Sequence, residues 1–590
     1  MINTAFPTNF LFKLILQIVF FLPIASFAQD VSDTVAPEFS SGVTEQQLVK
    51  SKEHMVVAAN PLASNAGNAI LAQGGNAIDA MVTVQLVLGL VEPQSSGLGG
   101  GAFLVYYDAR KDQLTTFDGR ETAPRNAKPD MFLDDTGQPQ YFFDAVIGGK
   151  SVGTPGTVAL LYDTHQKYGQ LAWSDVVQPA IDLAENGFDV SPRLHASITR
   201  SAESLHRFTK TREYFLTEES VPLFVGTKVR NSEYAATLKG ISKNGKTHFY
   251  SGELAKQIVQ TVQNAPGNPG FLSMDDLAEY RIIEREPKCF SYRGYDVCGM
   301  GPPSSGALSV GQILGLIEPF DLKASGPGNP QSWRVIGDAM RLAFADRGKY
   351  MADADFVKIP KGLLNRKYLK ERAKLLNNKA ALPANKVTPG EPPYDHAYNY
   401  APDNSLELPS TSHFSIADSE GNVVSMTTTI ENGFGSRLMV GGFLLNNELT
   451  DFSFVPEVNG KPVANRIEPG KRPRSSMAPT IIFKDGKPVL AIGSPGGSRI
   501  IPYVAKTIIA WIDWDMNIQQ AIELPHLANR FGTFDLEEGT AAEKFGPALE
   551  ALGYETSIRG LNSGLHGIEL TANGLEGGAD PRREGKAVGQ

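Results

Sequence analysis

The chain has 590 residues, enough for a large hydrophobic core and for more than one domain of the usual size. Its hydrophobic and charged fractions, 42% and 20%, are those of a folded soluble protein. The formal net charge of −9 argues against a nucleic-acid-binding protein and against one drawn to membranes by cationic attraction.

The N-terminus has the pattern of an export signal. Residues 10–24 are almost wholly apolar, with Lys13 near their start, and Ser26-Phe27-Ala28 provides small residues at a cleavage site. The apolar run is too short for a good membrane anchor. We therefore expect residues 1–28 to be removed, leaving no membrane anchor in a periplasmic or secreted protein.

The first part of the mature chain mixes helical and strand patterns. Residues 60–90 have apolar residues at helical spacing, and residues 102–107 and 113–118 alternate like paired strands. The glycine-rich run 97–102 matches a dinucleotide-binding fingerprint in composition. That fingerprint requires a strand before the glycines and a helix after them. The order here is inverted, so we do not expect nucleotide binding.

Two cysteines lie in a predicted hairpin within the mostly helical stretch 155–377. A two-residue loop at Arg293-Gly294 places Cys289 opposite Cys298 in a non-hydrogen-bonded pair, where Cα atoms approach to about 4.5 Å. This geometry favours a disulfide, and two reduced strand cysteines are the alternative. The cysteines are not expected to be catalytic, and no clustered His/Cys spacing indicates a metal site.

The second half of the chain begins after a proline-rich stretch. Residues 379–410 have little periodicity, which predicts a flexible linker. Strand patterns follow, and after them come two helical patterns. Strands packed between two sets of helices predict a layered α/β architecture. The strand patterns cover 412–417, 423–430, 477–483 and 489–492, and the helical patterns cover 503–514 and 518–528.

Thr411 opens the first of these strands. A hydroxyl is a poor nucleophile without a base beside it, and a free N-terminal amine, which titrates near pH ~8, can be that base. If the chain were cut between Ser410 and Thr411, Thr411 would carry both groups; an ordinary strand threonine is the alternative. The loop 418–422, with Gly421 in the left-handed position, places Thr411 opposite Thr429. Thr429 could then orient the Thr411 hydroxyl, although such pairs also occur in sheets without any function.

Three later motifs carry polar groups that could serve a site. Glu448 and Asp451, on a predicted loop, could bind an ammonium group or form a solvated acidic loop. Ser475-Ser476 precedes a strand and by itself indicates a cap or turn. Gly496-Gly497 lies between a strand and a helix, where main-chain N–H groups can face a developing oxyanion, although the pair by itself is a turn.

Taken in order, these motifs resemble the γ-glutamyltranspeptidase (glutathione hydrolase) family. The resemblance covers nearly the whole mature chain, and the ordered set is far more specific than any one motif. It is carried by Asn60-Pro61-Leu62-Ala63, Gly97-Leu98-Gly99-Gly100-Gly101, Phe117-Asp118-Gly119-Arg120-Glu121, Pro302-Pro303-Ser304-Ser305-Gly306, Thr411-Ser412-His413-Phe414, Thr429, Asn446-Asn447-Glu448, Asp451-Phe452, Arg472-Pro473-Arg474-Ser475-Ser476-Met477 and Gly493-Ser494-Pro495-Gly496-Gly497.

The resemblance implies a fold and a maturation step. The fold is an α/β (α+β) N-terminal-nucleophile hydrolase with a four-layer αββα sandwich, made as one precursor that cleaves itself. The cut falls between Ser410 and Thr411, giving a large subunit of residues 29–410 and a small subunit of residues 411–590. The family resemblance implies no cofactor and no metal.

The resemblance also implies residue roles and partners. The substrates would be glutathione and other γ-glutamyl compounds, with amino acids, peptides or water as acceptors. Arg120, Ser475 and Ser476 would bind the substrate's α-carboxylate. The remaining roles are an ammonium site of Glu448 and Asp451, an oxyanion hole of Gly496 and Gly497, Thr429 as the residue that orients the hydroxyl, and Thr411 as nucleophile.

Two features depart from the family pattern. Glu431 stands where many members have asparagine, and a carboxylate can accept from an ammonium but cannot donate to a carboxylate. Residues 452–474 contain no tyrosine and look shorter than the lid of some relatives, which predicts a more open site.

Two other functions remain as alternatives to glutathione hydrolysis with γ-glutamyl transfer. One is an acylase on the same scaffold that acts on glutaryl- or cephalosporin-type amides, and the other is a catalytically silent exported binding protein. Arg120, Glu448 and Asp451 favour the γ-glutamyl substrate over a glutaryl one, because a glutaryl group has no α-ammonium. Thr411 with the glycine pair disfavours the silent protein.

Overall fold

The computed structural model describes residues 43–393, 399–403, 405, 407–408 and 410–590, so the export signal predicted over 1–28 lies outside the described residues. The strands are β1 (Val49–Ser51), β2 (Met55–Ala58), β3 (Gly101–Asp108), β4 (Gln113–Gly119), β5 (Phe188–Asp189), β6 (Lys228–Val229), β7 (Ile283–Arg285), β8 (Lys288–Tyr292), β9 (Tyr295–Gly299), β10 (Ser412–Ala417), β11 (Val423–Thr429), β12 (Met439–Val440), β13 (Phe443–Leu444), β14 (Glu457–Val458), β15 (Lys461–Pro462), β16 (Thr480–Lys484), β17 (Lys487–Gly493), β18 (Leu527–Asn529), β19 (Phe534–Glu537), β20 (Thr556–Arg559), β21 (His566–Thr571), β22 (Gly574–Ala579) and β23 (Lys586–Gly589).

Helices connect and cover these strands. The α-helices are α1 (Pro61–Ala72), α2 (Ala77–Val91), α3 (Phe142–Val146), α4 (Thr157–Tyr168), α5 (Trp173–Asn186), α6 (Pro192–His206), α7 (Thr209–Phe215), α8 (Ser232–Asn244), α9 (Thr247–Tyr250), α10 (Gly252–Gln263), α11 (Met274–Glu279), α12 (Gly306–Ile317), α13 (Leu322–Ser325), α14 (Pro330–Tyr350), α15 (Arg366–Ala373), α16 (Ile500–Ile512), α17 (Ile518–Glu523) and α18 (Gly546–Ala551). Short 3-10 turns cover Gly149–Ser151, Lys361–Leu364, Lys374–Asn377, Ala384–Lys386, Glu448–Asp451, Gly497–Arg499 and Ala541–Phe545.

Two seven-stranded antiparallel sheets form the centre of the molecule. Sheet 1 has the order β1-β22-β21-β17-β16-β9-β8, and sheet 2 has the order β23-β2-β10-β11-β3-β4-β7. The sheets face each other, since β10 and β11 contact β17 and β21, and β2 contacts β22. Helices α1, α2 and α4 cover sheet 2, and α12, α16 and α17 cover sheet 1. The architecture is therefore mixed α/β, with helices outside both sheets.

The sequence explains how sheet 2 is buried on both faces. Along β3, Phe103 and Val105 join one apolar core, while Leu104 and Tyr106 join the other, because successive side chains of a strand point to opposite faces. Helix α2 is buried along its whole length, as expected for a helix that is apolar all round. Asn76 caps it by accepting from the main-chain N–H groups of Ile78 and Asp79.

The predicted hairpin after Thr411 has the register that its loop implies. Ser412 lies opposite Thr428 and Ala417 opposite Val423, so Thr411 faces Thr429 at the open end of the hairpin. The paired strands predicted over 102–107 and 113–118 are β3 and β4, and the glycine-rich run lies between the end of α2 and β3, in the inverted order expected.

Two segments differ from their predicted form. The helix predicted over 518–528 ends at Glu523, because Pro525 cannot continue it, and residues 527–529 instead form β18. The sequence predicts a flexible linker over 379–410. Its described residues form one 3-10 turn and no strand, but Leu382, Ala401, Leu408 and Ser410 among them are buried.

Cys289 and Cys298 are joined by a disulfide across β8 and β9, with their Cα atoms 4.0 Å apart. This bridge lies at the edge of sheet 1. In the described part of the chain, no helix is long and apolar enough to cross a membrane.

Candidate active site

Thr411 lies immediately before the first residue of β10, and its side chain contacts the peptide group that joins it to Ser410. Its Oγ1 donates to the main-chain oxygen of Ser410 at 2.7 Å and lies 3.2 Å from Oγ1 of Thr429. Thr429 Oγ1 donates to the same Ser410 oxygen at 2.9 Å and accepts from the N–H of Glu431 at 2.8 Å. Two hydroxyls therefore converge on one carbonyl, and Thr411 is only 4% exposed.

Arg120 follows β4 and forms a buried ion-pair cluster with two carboxylates from the 3-10 turn at 448–451. Its Nη1 donates to Glu448, and its Nη2 donates to Asp451 Oδ2 at 2.5 Å. The main-chain oxygens of Pro473 and Arg474 accept from Nε and Nη2, at 3.2 and 3.0 Å. All three guanidinium nitrogens are thus engaged, which fixes the plane of the fork.

The charges in this cluster are unequal in number. Glu121, next in the chain, lies 4.0 Å from Arg120 and is fully buried, so three carboxylates surround one guanidinium. Burial raises the pKa of Glu448 and of Asp451 well above normal, against the opposing effect of Arg120, and burial raises the pKa of Glu121 to about 7. Among the described residues, no donor reaches Glu448 Oε2 or Asp451 Oδ1. The cluster can therefore accept a further cation.

The sequence assigns Arg120 to a substrate carboxylate and Glu448 with Asp451 to a substrate ammonium. The structure brings all three residues to one place, but there they pair with one another. A charged ligand that binds here would have to replace these contacts with its own. A ligand carboxylate could pair with the planar fork of Arg120, and a ligand ammonium could pair with the two carboxylates.

Ser475 and Ser476 precede β16 and lie beside a second ion pair. Ser476 Oγ donates to Glu407 at 2.5 Å and accepts from Arg347 Nη2 at 2.8 Å, and Arg347 also donates to Glu407. Ser475 is tied to the Ser304 segment instead, with its N–H donating to Pro303 at 3.1 Å. Burial would raise the pKa of Glu407, but Arg347 and Arg474 lower it below its usual value.

Sequence reasoning missed this second ion pair. Glu407 and Asp403 fall in the predicted linker, while Arg347 is on α14 and Arg474 precedes the two serines. Arg474 lies 2.9 Å from Asp403. The sequence contains only a weak indication of this ion pair. Acidic residues lie in a proline-rich segment just before the predicted cut, but nothing in the sequence indicates which basic residues they contact.

Glu431 is the residue at which the sequence resemblance predicts a departure from the family pattern. It has a positive φ of 74° and is buried, and its Oε1 accepts from the N–H of Leu408 at 3.0 Å while Oε2 accepts from Asn447. Burial raises its pKa well above normal, with a further increase from Asp451. Glu431 thus ties the segment before the predicted cut to the segment after β11.

Gly496 and Gly497 lie between β17 and α16, and both have positive φ values, 136° and 55°. A side chain on Gly497 would collide with the main-chain oxygens of Glu407 and Leu408, at 2.8 and 2.7 Å from an added Cβ. Only glycine permits so close an approach of two main chains. Gly497 faces the site, while Gly496 packs against Tyr503.

These groups surround a small cavity of about 20 Å³, which is room for about one water molecule. The cavity unites almost all the predicted site residues, and Glu407 and Leu408 form part of its wall. The described residues contain no cluster of three or more His, Cys, Asp or Glu side chains that could hold a metal ion. The lining residues are Arg120, Glu407, Leu408, Thr411, Thr429, Glu431, Glu448, Asp451, Ser475, Ser476, Met477, Gly497 and Ile500.

Comparison with known proteins connects this site to a family. Residues 63–590 match the model of the family described as gamma-glutamyltranspeptidase. A glutathione hydrolase proenzyme of Bacillus subtilis is 38% identical over 557 residues, 92% of each chain. An acylase ACY 1 proenzyme of a Pseudomonas species is 34% identical over 94% of this chain and 96% of its own.

A solved structure, a cephalosporin acylase from Bacillus halodurans, superposes with a TM-score of 0.79 at 26% identity, covering 93% of this chain and 97% of that one. The family match and the relatives extend over almost the whole chain and include the segment that carries Thr411, Thr429 and the surrounding cavity. The protein is therefore a member of the gamma-glutamyltranspeptidase family.

Proposed function

We propose that this protein is a self-cleaving enzyme that hydrolyses glutathione and transfers γ-glutamyl groups, with Thr411 as its nucleophile. The observation that carries the proposal is the convergence of the Thr411 and Thr429 hydroxyls on the Ser410 carbonyl. A hydroxyl in contact with the preceding carbonyl is the arrangement that an internal acyl shift requires, and the second hydroxyl can stabilise the oxygen as it gains negative charge.

The cleavage step follows from this contact. Thr411 Oγ1 attacks the carbonyl carbon of Ser410, the bond from that carbon to the Thr411 nitrogen breaks, and the nitrogen receives the proton that the hydroxyl loses. The peptide becomes an ester, which water hydrolyses to a Ser410 carboxylate, a free Thr411 amine and a restored hydroxyl. The products are a large subunit ending at Ser410 and a small subunit of residues 411–590, the two chains of a four-layer αββα N-terminal-nucleophile hydrolase.

The freed amine then serves as the base for the same hydroxyl. The hydroxyl attacks the γ-glutamyl amide and forms an acyl-enzyme, releasing the amine of the leaving group. Water completes a hydrolysis, and an amino acid or peptide completes a transfer. Gly496 and Gly497 are assigned to the oxyanion, because Gly497 lies on the cavity wall and its main chain becomes accessible to a ligand once Glu407 and Leu408 leave it.

The buried charges account for the γ-glutamyl preference. A γ-glutamyl group presents an α-ammonium and an α-carboxylate, away from the amide that is cut. Glu448 and Asp451 offer oxygens without a donor among the described residues, and Arg120 offers a planar fork. Ser475, Ser476 and Glu431 complete the proposed substrate site. A substrate without one of the two charges would leave buried partners unpaired, which costs several kcal/mol.

The segment before the cut must move before this site can work. Glu407 and Leu408 line the cavity and press on Gly497, and the remaining volume holds about one water molecule. A γ-glutamyl group is several times larger. Cleavage at Ser410 removes the covalent connection that keeps this segment against Thr411, so we assign to the cut both the release of the amine and the opening of the site. Export to the periplasm or the medium, with residues 1–28 removed, belongs to the same proposal.

One experiment tests the function. The purified protein should contain two chains, the smaller beginning Thr-Ser-His-Phe, and it should release the anilide from a γ-glutamyl anilide. Asp451→Asn should still be cut, but it should lose at least about tenfold in kcat/KM on the γ-glutamyl anilide and clearly less on the matched glutaryl anilide, which carries no ammonium. Arg120→Lys, the matched change at the carboxylate contact, should lose about tenfold or more on both substrates, because both carry the carboxylate and only a planar fork binds it in bidentate fashion.

A second candidate is an acylase on the same scaffold, favoured by the similar identity of the acylase relative. A wild-type enzyme that prefers the glutaryl anilide would establish the acylase and refute the γ-glutamyl assignment. If Asp451→Asn loses kcat/KM by the same factor on the two anilides, Asp451 does not bind the ammonium group of the substrate.

A further inference from the structure

A buried arginine from the far end of the chain contacts the main chain of Thr411. Nη1 of Arg583 donates to the Thr411 oxygen at 3.0 Å, and Nε donates to the main-chain oxygen of Ser563 at 2.9 Å. Arg583 is 1% exposed. None of the sequence motifs includes it, and it lies 172 residues from Thr411 along the chain.

The loop that carries Arg583 is itself fixed. Ser563 donates through Oγ to Asp580, Asp580 accepts from the N–H of Leu565 at 2.9 Å, and the N–H of Arg583 donates to the Asp580 main-chain oxygen at 3.3 Å. His526 Nε2 lies 2.7 Å from Ser563 Oγ. These contacts fix the loop main chain, and the bond from Nε to the Ser563 oxygen then fixes the guanidinium on it.

The position of Thr411 explains why such a contact matters. The ladder of β10 begins at Ser412, so Thr411 stands just outside the hydrogen-bonded strand. Once the bond to Ser410 is cut, Thr411 becomes a chain end, and chain ends not tied down are poorly ordered. The contact from Arg583 fixes the peptide plane that includes the Thr411 Cα. Because the amine is bonded to this Cα and the hydroxyl is attached to it through Cβ, the contact also limits the positions of both groups.

We propose that Arg583 is a positioning residue for the nucleophile, and that its charge keeps the freed amine of Thr411 in the neutral form that accepts a proton. The inference rests on the proposed self-cleavage, which creates the amine. The amine and the carbonyl oxygen of one residue are separated by only two atoms, so the guanidinium lies within about 6 Å of the amine. A like charge at that range disfavours the ammonium form and lowers the pKa of the amine from its ordinary ~8.

Other ionisable groups near the start of β10 do not supply this effect. Glu92, at the end of α2, accepts from Ser412 Oγ at 3.1 Å and is paired with Arg193. Glu431 follows β11, and burial raises its pKa. Burial also lowers the pKa of His413 on β10 and, to about 3, that of His566 on β21, so both rings are neutral near pH 7.

Glu407 approaches from the upstream segment and is paired with Arg347. Strand β2 has no ionisable side chain, and that of β17, Lys487, is exposed at the strand's far end. Among the described residues, Arg583 is thus the cation that contacts Thr411 itself.

The first test uses the unaltered two-chain enzyme. The Thr411 amine is labelled with a small acylating reagent at a series of pH values, with the free peptide Thr-Ser-His-Phe in the same tube as reference. The ratio of the two rates cancels the pH dependence of the reagent. We expect a midpoint for Thr411 at least about one pH unit below that of the peptide. Equal midpoints would overturn the inference, whereas a preparation that contains no chain beginning at Thr411 would overturn the proposed function instead.

The second test assigns the effect to Arg583. Arg583→Gln keeps a donor but removes the charge, and Arg583→Lys keeps the charge. In Arg583→Gln the acid limb of the kcat/KM profile should move up by about one pH unit, with about tenfold lower activity near pH 7 and recovery to within about threefold near pH 9.5. Arg583→Lys should keep the wild-type midpoint.

A purely structural role predicts a different result. Activity would then fall by the same factor at every pH in Arg583→Gln, with an unchanged midpoint, and the charge effect would be refuted. If Arg583→Gln does not cut itself, the labelling midpoints of wild type and Arg583→Lys decide the question: both low supports the inference, and a midpoint at the value of the reference peptide in either one overturns it.

Discussion

The chain is held in different ways on the two sides of the bond between Ser410 and Thr411. Downstream, β10 is hydrogen-bonded between β2 and β11. Upstream, the described residues nearest the cut (405, 407–408 and 410) form no strand and are held through side chains, above all by the ion pair of Glu407 with Arg347, while main-chain hydrogen bonds to the rest of the protein begin farther back, at Asp403 and Ala401. A main-chain ladder survives a cut at its end, whereas a segment held by side chains can leave once its covalent connection is gone. On the proposed function, the same bond separates a fixed nucleophile from a wall of the site that can be released.

The largest expected effect removes the cut altogether. Thr411→Ala deletes the hydroxyl proposed to attack the Ser410 carbonyl, so the protein should remain one chain without measurable activity, whereas wild type should give chains of roughly 40 and 20 kDa by residue count. A denaturing gel with N-terminal sequencing measures both. Ser410→Ala leaves the nucleophile in place and should still be cut. Cutting of Thr411→Ala at the same bond would refute self-cleavage.

The next effect concerns the downstream side alone. Thr429→Ala removes one of the two hydroxyls on the Ser410 oxygen, and loss of one such donor slows related reactions by about a hundredfold. The rate of self-cleavage, followed on gels, should fall by about that factor. Thr429→Ser keeps a hydroxyl and should stay within a few fold of wild type. Similar losses in the two variants would mean that the methyl group, not the hydroxyl, is what matters.

A smaller effect tests the upstream side. In the uncut Thr411→Ala protein, Glu407→Gln weakens the contact with Arg347 and Ser476, so the segment should be held less firmly. Amide hydrogen exchange at Leu408, whose N–H donates to Glu431, should accelerate by about tenfold.

A matched control and a pH series sharpen this result. Glu391→Gln, an exposed carboxylate in the same proline-rich stretch, should leave the exchange unchanged. Because the pKa of folded Glu407 is lowered, its contribution is complete above the usual glutamate value of about 4.5 and is lost as pH falls through the lower folded value. Protection of Leu408 that does not fall in that acid range, or that falls equally in Glu407→Gln, would contradict the role given to Glu407.

The smallest effect on activity is expected at the disulfide, remote from both sides of the cut. Changing Cys289 and Cys298 to serine together removes a bridge that closes a short loop, worth about 2 kcal/mol in the free energy of unfolding. Thermal unfolding should begin a few degrees lower, while kcat/KM on a γ-glutamyl anilide should match wild type. A large loss of activity would show that the edge of sheet 1 affects the site.

The sequence predicts the downstream side well because its signals are local. The turn residues at 418–422 set the hairpin register, and the register alone brings Thr411 opposite Thr429. The two-residue loop of the cysteine hairpin is an equally short-range signal. Where two local signals compete, the predicted boundary of an element is wrong. The helical pattern continues to residue 528, but Pro525 stops the helix, which ends at Glu523.

The upstream side could not be predicted in the same way. Prolines and absent periodicity predict only the form of the main chain, and the described residues of 379–410 form no strand. The proline pattern does not indicate which distant arginine will pair with Glu407, because Arg347 lies 60 residues away on a helix. The pairing of Arg120 with Glu448 and Asp451 could not be predicted either. The motifs indicate opposite charges that suit a charged ligand, but they do not indicate that these charges contact one another when no ligand is bound.

The strand order of the two sheets has a consequence for the number of chains in each molecule. Strands from before and after Thr411 are neighbours at β1 with β22 and at β9 with β16 in sheet 1, and at β23 with β2, β2 with β10 and β3 with β11 in sheet 2. If the bond at Ser410 is cut as proposed, these ladders join two separate polypeptides. Every molecule must then contain one copy of each, and refolding from separated chains would depend on their concentration, whereas the precursor brings both in equal amounts and folds as a single chain.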